Sequence, residues 1–175
     1  MQEGRFITAT GRGKDFEKEI RAAFQHPDIS IDRFPDPMAG YAGIRNICDF
    51  GVYQYPFSYY FELKQRKDNT LNFKYDITKD QWEGLQEKAT IPGVVAGYIV
   101  WFIDHDVTAF IPAQELKRLQ IAGAKSLNIK DIRENKVDFV EVPGKKKRIM
   151  FTYDAALFIE NMNNKTWRWQ DGKKE

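Results

Sequence analysis

Residues 47–64, ICDFGVYQYPFSYYFELK, decide how this chain is read. Pro56 has no N–H to donate to a ladder and presets φ for a turn, so the stretch predicts a two-stranded hairpin centred on Tyr55-Pro56. Pairing outward from that centre sets Val52 opposite Tyr59, Phe50 opposite Phe61 and Cys48 opposite Leu63, six residues on one face that can all be buried. The other face pairs Tyr53 with Ser58, Gly51 with Tyr60, Asp49 with Glu62 and Ile47 with Lys64. Like charges directly opposite each other on a sheet repel. A positive partner between Asp49 and Glu62 would relieve that repulsion, and a divalent metal is the obvious candidate.

Outward from the hairpin, the periodicities suggest an α/β chain at the α+β boundary, with a mixed sheet flanked by helices. An amphipathic helix is predicted over Lys14–Phe24 on Phe16, Ile20, Ala23 and Phe24, ended by His26-Pro27. Ile29–Arg33 alternates as a strand, and Phe34–Gly43, with two prolines and two glycines, reads as a loop. Arg66–Lys74 is a polar, basic connector. Thr78 is placed to cap a helix running to Ala89 with Trp82 and Leu85 as its apolar stripe. Val94–Ile103 is an apolar run of strand length, turned by Asp104-His105-Asp106 into a second strand, Val107–Ile111. Pro112 opens a helix to about Ile121, and Ile129–Glu134 reads as a short one. Val137–Val142 and Arg148–Tyr153 suggest a hairpin around Pro143-Gly144, and Ala155–Met162 a last helix.

The bulk properties bound the function. The 175 residues suit one domain, read as residues 12–175 behind a lead-in over residues 1–11. A net charge of +2 is too small to argue for nucleic acid by itself. One cysteine excludes a disulfide framework and a cysteine-based metal site, and fits a reducing compartment. No apolar signal core and no membrane-length run stand out, so a cytoplasmic location and no membrane partner are expected.

Glu62 and Lys64 are two apart on one strand, with side chains on the same side roughly 6–7 Å apart. Asp49 faces them from the neighbouring strand. Hard oxygen ligands suit Mg²⁺, which keeps waters and takes phosphate oxygens. Such an ion helps generate an attacking hydroxide, and a lysine beside it can orient water or steady developing negative charge. The set therefore suits phosphodiester hydrolysis. Glu62-Leu63-Lys64 alone is equally what a solvated strand face looks like; it is Asp49 in register, over an apolar reverse face, that makes the chemical reading competitive.

Asp49 followed by Phe61-Glu62-Leu63-Lys64 resembles the core motif of the PD-(D/E)XK nuclease superfamily, whose fold is restriction-endonuclease-like. Within it the chain is similar to the RecU-type Holliday junction resolvases of Gram-positive bacteria and their phages. Arg12-Gly13-Lys14-Asp15-Phe16-Glu17 resembles that family's first-helix signature, Arg-Gly-x-x-apolar-Glu. Gln81 falls where the family carries a glutamine opening the next helix, and Lys67 and Thr70 match positions between. Lys125-Ser126-Leu127 and Lys130-Asp131 echo a later segment. The likeness runs from Arg12 to Arg133 and is dense from Asp49 to Gln81.

The resemblance implies Asp49 and Glu62 as metal ligands, Lys64 as the catalytic lysine, Glu17 completing the acidic cluster, and Gln81 supporting the site. It implies a homodimer nicking four-way or otherwise branched DNA with Mg²⁺, for which Mn²⁺ is a plausible substitute. Without the resemblance, Glu17 reads as a surface charge beside an apolar stripe. Arg66, Lys67, Thr70 and Lys74 are the expected DNA contacts, whereas Lys145–Arg148 fits a solvated hairpin tip as well as a phosphate contact. The family's longer basic arm is reduced here to Arg5 and Arg12, its stalk to the short interval Phe34–Asn46, and its histidines near the glutamine to Thr78 and Asp80. Two rivals follow: a nuclease of the same core acting on duplex ends, flaps or single strands, and a branched-DNA-binding protein with an idle site. Tyr53, Tyr55, Phe57, Tyr59 and Tyr60 could include a stacking platform but fit hairpin packing better. Trp167 and Trp169 suit a core cap or an oligomer contact. His26, His105 and Cys48 are set aside as ligands or nucleophile.

Overall fold

The structure, a computed structural model, describes residues 10–34, 46–148 and 150–171, with the side chains of residues 10–12 and 166–171 outside the description. Its centre is a six-stranded mixed sheet. The strands are β1 (Ser30–Arg33), β2 (Phe50–Gln54), β3 (Phe57–Arg66), β5 (Val94–Phe102), β6 (Val107–Pro112) and β8 (Val140–Glu141), in that spatial order. β3 and β5 run parallel and the other neighbours antiparallel. The expected α/β class with a mixed, helix-flanked sheet is therefore what forms.

Helices cover both faces, which explains why β5 is buried along nearly its whole length. On one face, α1 (Thr10–Ala23) and α5 (Ala155–Asp171) bring Phe16, Ile20, Phe24, Phe158 and Met162 onto Phe50, Tyr59, Phe61 and Trp101. On the other, α2 (Lys79–Lys88), α3 (Ala113–Ile121) and α4 (Ile129–Arg133) pack Leu85, Leu116 and Ile132 around Tyr98, Val100 and Phe102. The alternation of β3 sorts Phe57, Tyr59 and Phe61 to the first face, leaving Tyr60, Glu62 and Lys64 for the second. Among the described residues no helix is long and apolar enough to cross a membrane.

The hairpin register is the expected one from Phe50 opposite Phe61 to Tyr53 opposite Ser58. It stops there. Asp49 lies in a bend before β2, so the predicted pairs of Asp49 with Glu62 and Cys48 with Leu63 do not form. Its backbone instead bridges mid-β3 and the residue after β1: Asp49 N donates to Phe61 O (3.1 Å), and Asp49 O accepts from Phe34 N (2.8 Å). Once the ladder ends, period-two alternation lapses, and Cys48 joins the second core rather than the Phe50 face. Leu63 is half-buried rather than buried.

Other expectations are corrected locally. α1 begins at Thr10, not Lys14. The connector after β3 contains a strand, β4 (Thr70–Asn72), which pairs antiparallel with β7 (Ser126–Asn128). Pro112 ends β6 and caps α3 instead of opening it. The late hairpin is β9 (Gly144–Lys146) with β10 (Phe151–Tyr153); Gly144 pairs with Tyr153, and β8 joins the main sheet instead. Most of the predicted loop Phe34–Gly43 and of the stalk interval Phe34–Asn46 lies outside the described residues, as do Arg5 and the Trp167 and Trp169 side chains.

Candidate active site

Four side chains meet where Asp49 leaves the hairpin and α2 begins. Glu62 and Lys64 sit two apart on the same side of β3, with Lys64 Nζ 2.9 Å from Glu62 Oε1. Asp49 Oδ2 accepts the Leu63 backbone N–H at 2.7 Å, which fixes its carboxylate beside β3 although its own backbone is outside the ladder. Asp49 stands close enough to Glu62 to help raise its carboxyl. The repulsion anticipated for a cross-strand pair thus persists although the two residues are not paired on the ladder.

Gln81 supplies the fourth member, and local helix chemistry sets its position. It is the third residue of α2, in a capping box: its backbone N–H donates to Thr78 Oγ1 (3.3 Å) and its Oε1 accepts from Thr78 N (3.1 Å). The same Oε1 accepts from Lys64 Nζ at 3.0 Å, while Nε2 donates to Glu62 Oε1 at 2.6 Å. A close approach makes this reach possible. A Cβ on Gly84 would stand 2.3 Å from Ile47 Cγ2, so α2 can lie this near the segment leading to Asp49 only with glycine there.

The electrostatics are unbalanced. Glu62 is 5% exposed, and its carboxyl is pushed up to about 7, chiefly by burial and further by Asp49, against the opposing pull of Lys64. Asp49 is also raised, by burial first, with Glu17 adding to the effect and the Leu63 amide and Lys64 opposing it. Tyr98, opposite Glu62 on β5, is wholly buried with its hydroxyl 3.5 Å from Gln81 O, and closes the floor of the site. Sequence reading missed this residue, whose place opposite Glu62 depends on which strands become neighbours. Cys48 nearby is pushed up to about 12, chiefly by burial, so its thiol stays protonated and serves neither as ligand nor nucleophile.

Glu17 is near enough to raise Asp49, but its carboxylate is engaged by the Arg33 guanidinium on β1. Among the described residues no group of three or more His, Cys, Asp or Glu side chains is arranged to hold a metal ion. Asp49 and Glu62 are the two neighbouring carboxyls of the site. Two carboxyls beside one ammonium are hard oxygen donors of the kind a divalent cation, completing its shell with water and substrate oxygens, would take.

The expected DNA contacts separate. Lys67 and Lys74 are exposed. Arg66 is held locally: Nε donates to Thr70 O (2.9 Å), and its two terminal nitrogens to Asp76 and Asp68 (2.6 Å each). Thr70 sits in β4 opposite Asn128. In the hairpin, Phe57 and Tyr59 are core, while Tyr53 and Tyr55 are exposed. Lys146 pairs with Asp106, and His105 bonds Asn69 and Arg133.

No family model and no curated protein matches the chain. Among solved structures it is similar to Hjc, a Holliday junction resolvase from the archaeal hyperthermophile Archaeoglobus fulgidus, at 21% identity. That match covers 59% of this chain and 78% of the other, with a TM-score of 0.44.

Proposed function

We propose that this chain is a metal-dependent endodeoxyribonuclease that cuts branched DNA, with four-way junctions as the favoured substrate. One observation carries the reading: Asp49 and Glu62 are held together in a buried site with Lys64 and Gln81, and Glu62 is left protonatable near neutrality. A fold that only needed a stable sheet would gain by replacing such a pair with apolar residues. The restriction-endonuclease-like arrangement implied by the Asp49 to Gln81 resemblance supports the same reading.

In this proposal Asp49 and Glu62 hold Mg²⁺, or Mn²⁺ in its place. The bound ion supplies polarisation of the phosphate and acidification of a water. Lys64, anchored by Glu62 and Gln81, presents an ammonium where negative charge builds on the phosphate oxygens. Gln81 holds both partners from the start of a helix, so the geometry is set before substrate arrives. Glu17, kept by Arg33, biases the field at Asp49 rather than binding directly. Lys67 and Lys74 are available to phosphates, and Arg66 shapes the connector that carries them. Symmetric resolution needs two nicks on two-fold-related strands, and each chain has one such site, so the working unit is a homodimer.

Incubating the protein with a synthetic four-way junction and Mg²⁺ tests this. Paired nicks, lost in Glu62→Ala, are expected. No cutting, with Glu62→Ala indistinguishable from the unaltered chain, overturns it. Flap, duplex and single-stranded substrates run alongside separate junction resolution from the broader nuclease activity.

A further inference from the structure

Beside Thr78 and the first turn of α2 lies a groove of about 790 Å³. Its apolar lining includes Phe73 and Trp82, whose rings are 5.5 Å apart. Tyr75 stands at its rim, 79% exposed. Lys74, Lys79 and Lys125 also line it, and no carboxylate does. Lys79 has only a loose 3.8 Å contact with Glu83, both exposed, which screens its charge little.

The exposure of Tyr75 is built in. Asn72 Oδ1 accepts from the backbone N–H of both Lys74 (3.0 Å) and Tyr75 (3.1 Å), locking the turn that projects the ring. Asp76 braces the turn from the other side, accepting from Asn72 N and from Arg66, two residues beyond Lys64 on β3. The ring is thus held outward by a turn tied to β3 through Arg66, with the Lys74 ammonium 5.5 Å from its centroid over one face.

We propose that this groove binds an unpaired segment of the DNA substrate, its bases stacking on Tyr75 and Trp82 and its phosphates neutralised by the three lysines. Aromatic faces with interleaved lysines and no acidic group match single-stranded nucleic acid, in which stacking and phosphate neutralisation act together. The inference rests on the nuclease reading for its context: the groove shares Thr78 with the capping box that positions Gln81, which makes it a neighbour of the proposed cutting site. It would make unpaired DNA beside the branch a determinant of where the enzyme acts.

The test is fluorescence anisotropy without divalent cation, using labelled oligothymidylate of about 12 nucleotides, within the range of known single-strand sites, and a blunt duplex of the same chemistry. Tyr75→Ala is expected to weaken oligothymidylate binding about tenfold, with Tyr75→Trp restoring it, while duplex binding hardly changes. Lys125→Glu weakens the single strand as well. Unaltered oligothymidylate binding in Tyr75→Ala, or an equal loss on single strand and duplex, overturns the groove. Junction cutting by the same preparations keeps the two ideas apart. Cutting with Tyr75-independent binding sinks the groove alone, whereas Tyr75-dependent binding without any cutting sinks the nuclease reading and supports the groove.

Discussion

Two glutamates lie almost equally deep in this protein and meet opposite fates. Glu62 is 5% exposed and Glu115, on α3, is 8% exposed. Burial raises both carboxyls, but at Glu115 the Arg118 guanidinium donates twice (2.8 and 2.5 Å) and the Asp138 backbone N–H once (3.0 Å), and the net effect is a lowered pKa. Glu62 has a lysine and a glutamine on one oxygen and a second carboxyl beside it, and ends near 7. The chain can satisfy a buried carboxylate with its own groups, as α3 demonstrates. At Glu62 a single lysine serves two neighbouring carboxyls. Desolvation alone marks neither a site nor a structural role; the balance of charge around the carboxyl does.

The largest expected effect breaks the pair at Glu62. Glu62→Gln keeps the shape and removes a ligand, so Mg²⁺-dependent cutting of a junction should fall by roughly a thousandfold or more. Its melting temperature at pH 8 should be no lower than that of the unaltered chain, because a buried charge has been removed. Retained cutting would end the proposed role of Glu62. Glu115→Ala should do the reverse. It leaves the Asp138 N–H without its acceptor and Arg118 without its carboxylate, costing about 2–3 kcal/mol in urea unfolding, with cutting per folded molecule unchanged.

The pH dependence sharpens the contrast. Glu62 titrates near 7 in the folded chain against an ordinary 4.5, so between those values the folded state holds a proton that the unfolded state has released. Its contribution to stability is present below pH 4.5 and declines as pH rises through 7, by up to about 2–3 kcal/mol. Glu115, lowered, contributes in the opposite sense at acid pH. Melting temperature followed from pH 5 to 8 should therefore fall, and Glu62→Gln should flatten the slope. A cation replaces the proton, so Mg²⁺ should raise the melting temperature more at pH 8 than at pH 6, and cutting should rise through about pH 7. An unchanged slope in Glu62→Gln would show that Glu62 is not the titrating group.

The fold was legible where local chemistry and tertiary packing agree. Pro56 marks the turn, and four cross-strand pairs follow from it. The reading failed at Asp49 because alternation is informative only inside a ladder, and the chain bends one residue before β2. β4 and β7 escaped because three-residue strands in polar sequence leave no periodicity. The late hairpin was centred on Pro143-Gly144 although Gly144 lies in a strand; turn residues mark breaks, not which break closes a pair. At the site, Asp49, Glu62, Lys64 and Gln81 do come together. Tyr98 and the capture of Glu17 by Arg33 were invisible, because both depend on which strands become neighbours.

The smallest effect concerns Gln81, which serves both regions of chemistry at once. Its Oε1 closes the capping box while its Nε2 faces Glu62. Gln81→Glu separates the two jobs. A glutamate at this position caps the helix as well as glutamine does, so α2 and the overall melting temperature should change by well under 1 kcal/mol. At the site, however, a donor becomes a third carboxylate facing Glu62, which favours the protonated form of Glu62 still further. The pH midpoint of cutting should move upward and the rate at pH 7 fall about tenfold, as loss of an orienting partner typically costs, with partial recovery at higher pH or higher Mg²⁺. Gln81→Ala should lower the rate by a similar factor without the alkaline displacement. If the two variants share one pH midpoint, Gln81 acts on Glu62 only by holding the helix, and the pairing of its amide with the carboxyl has no part in the chemistry.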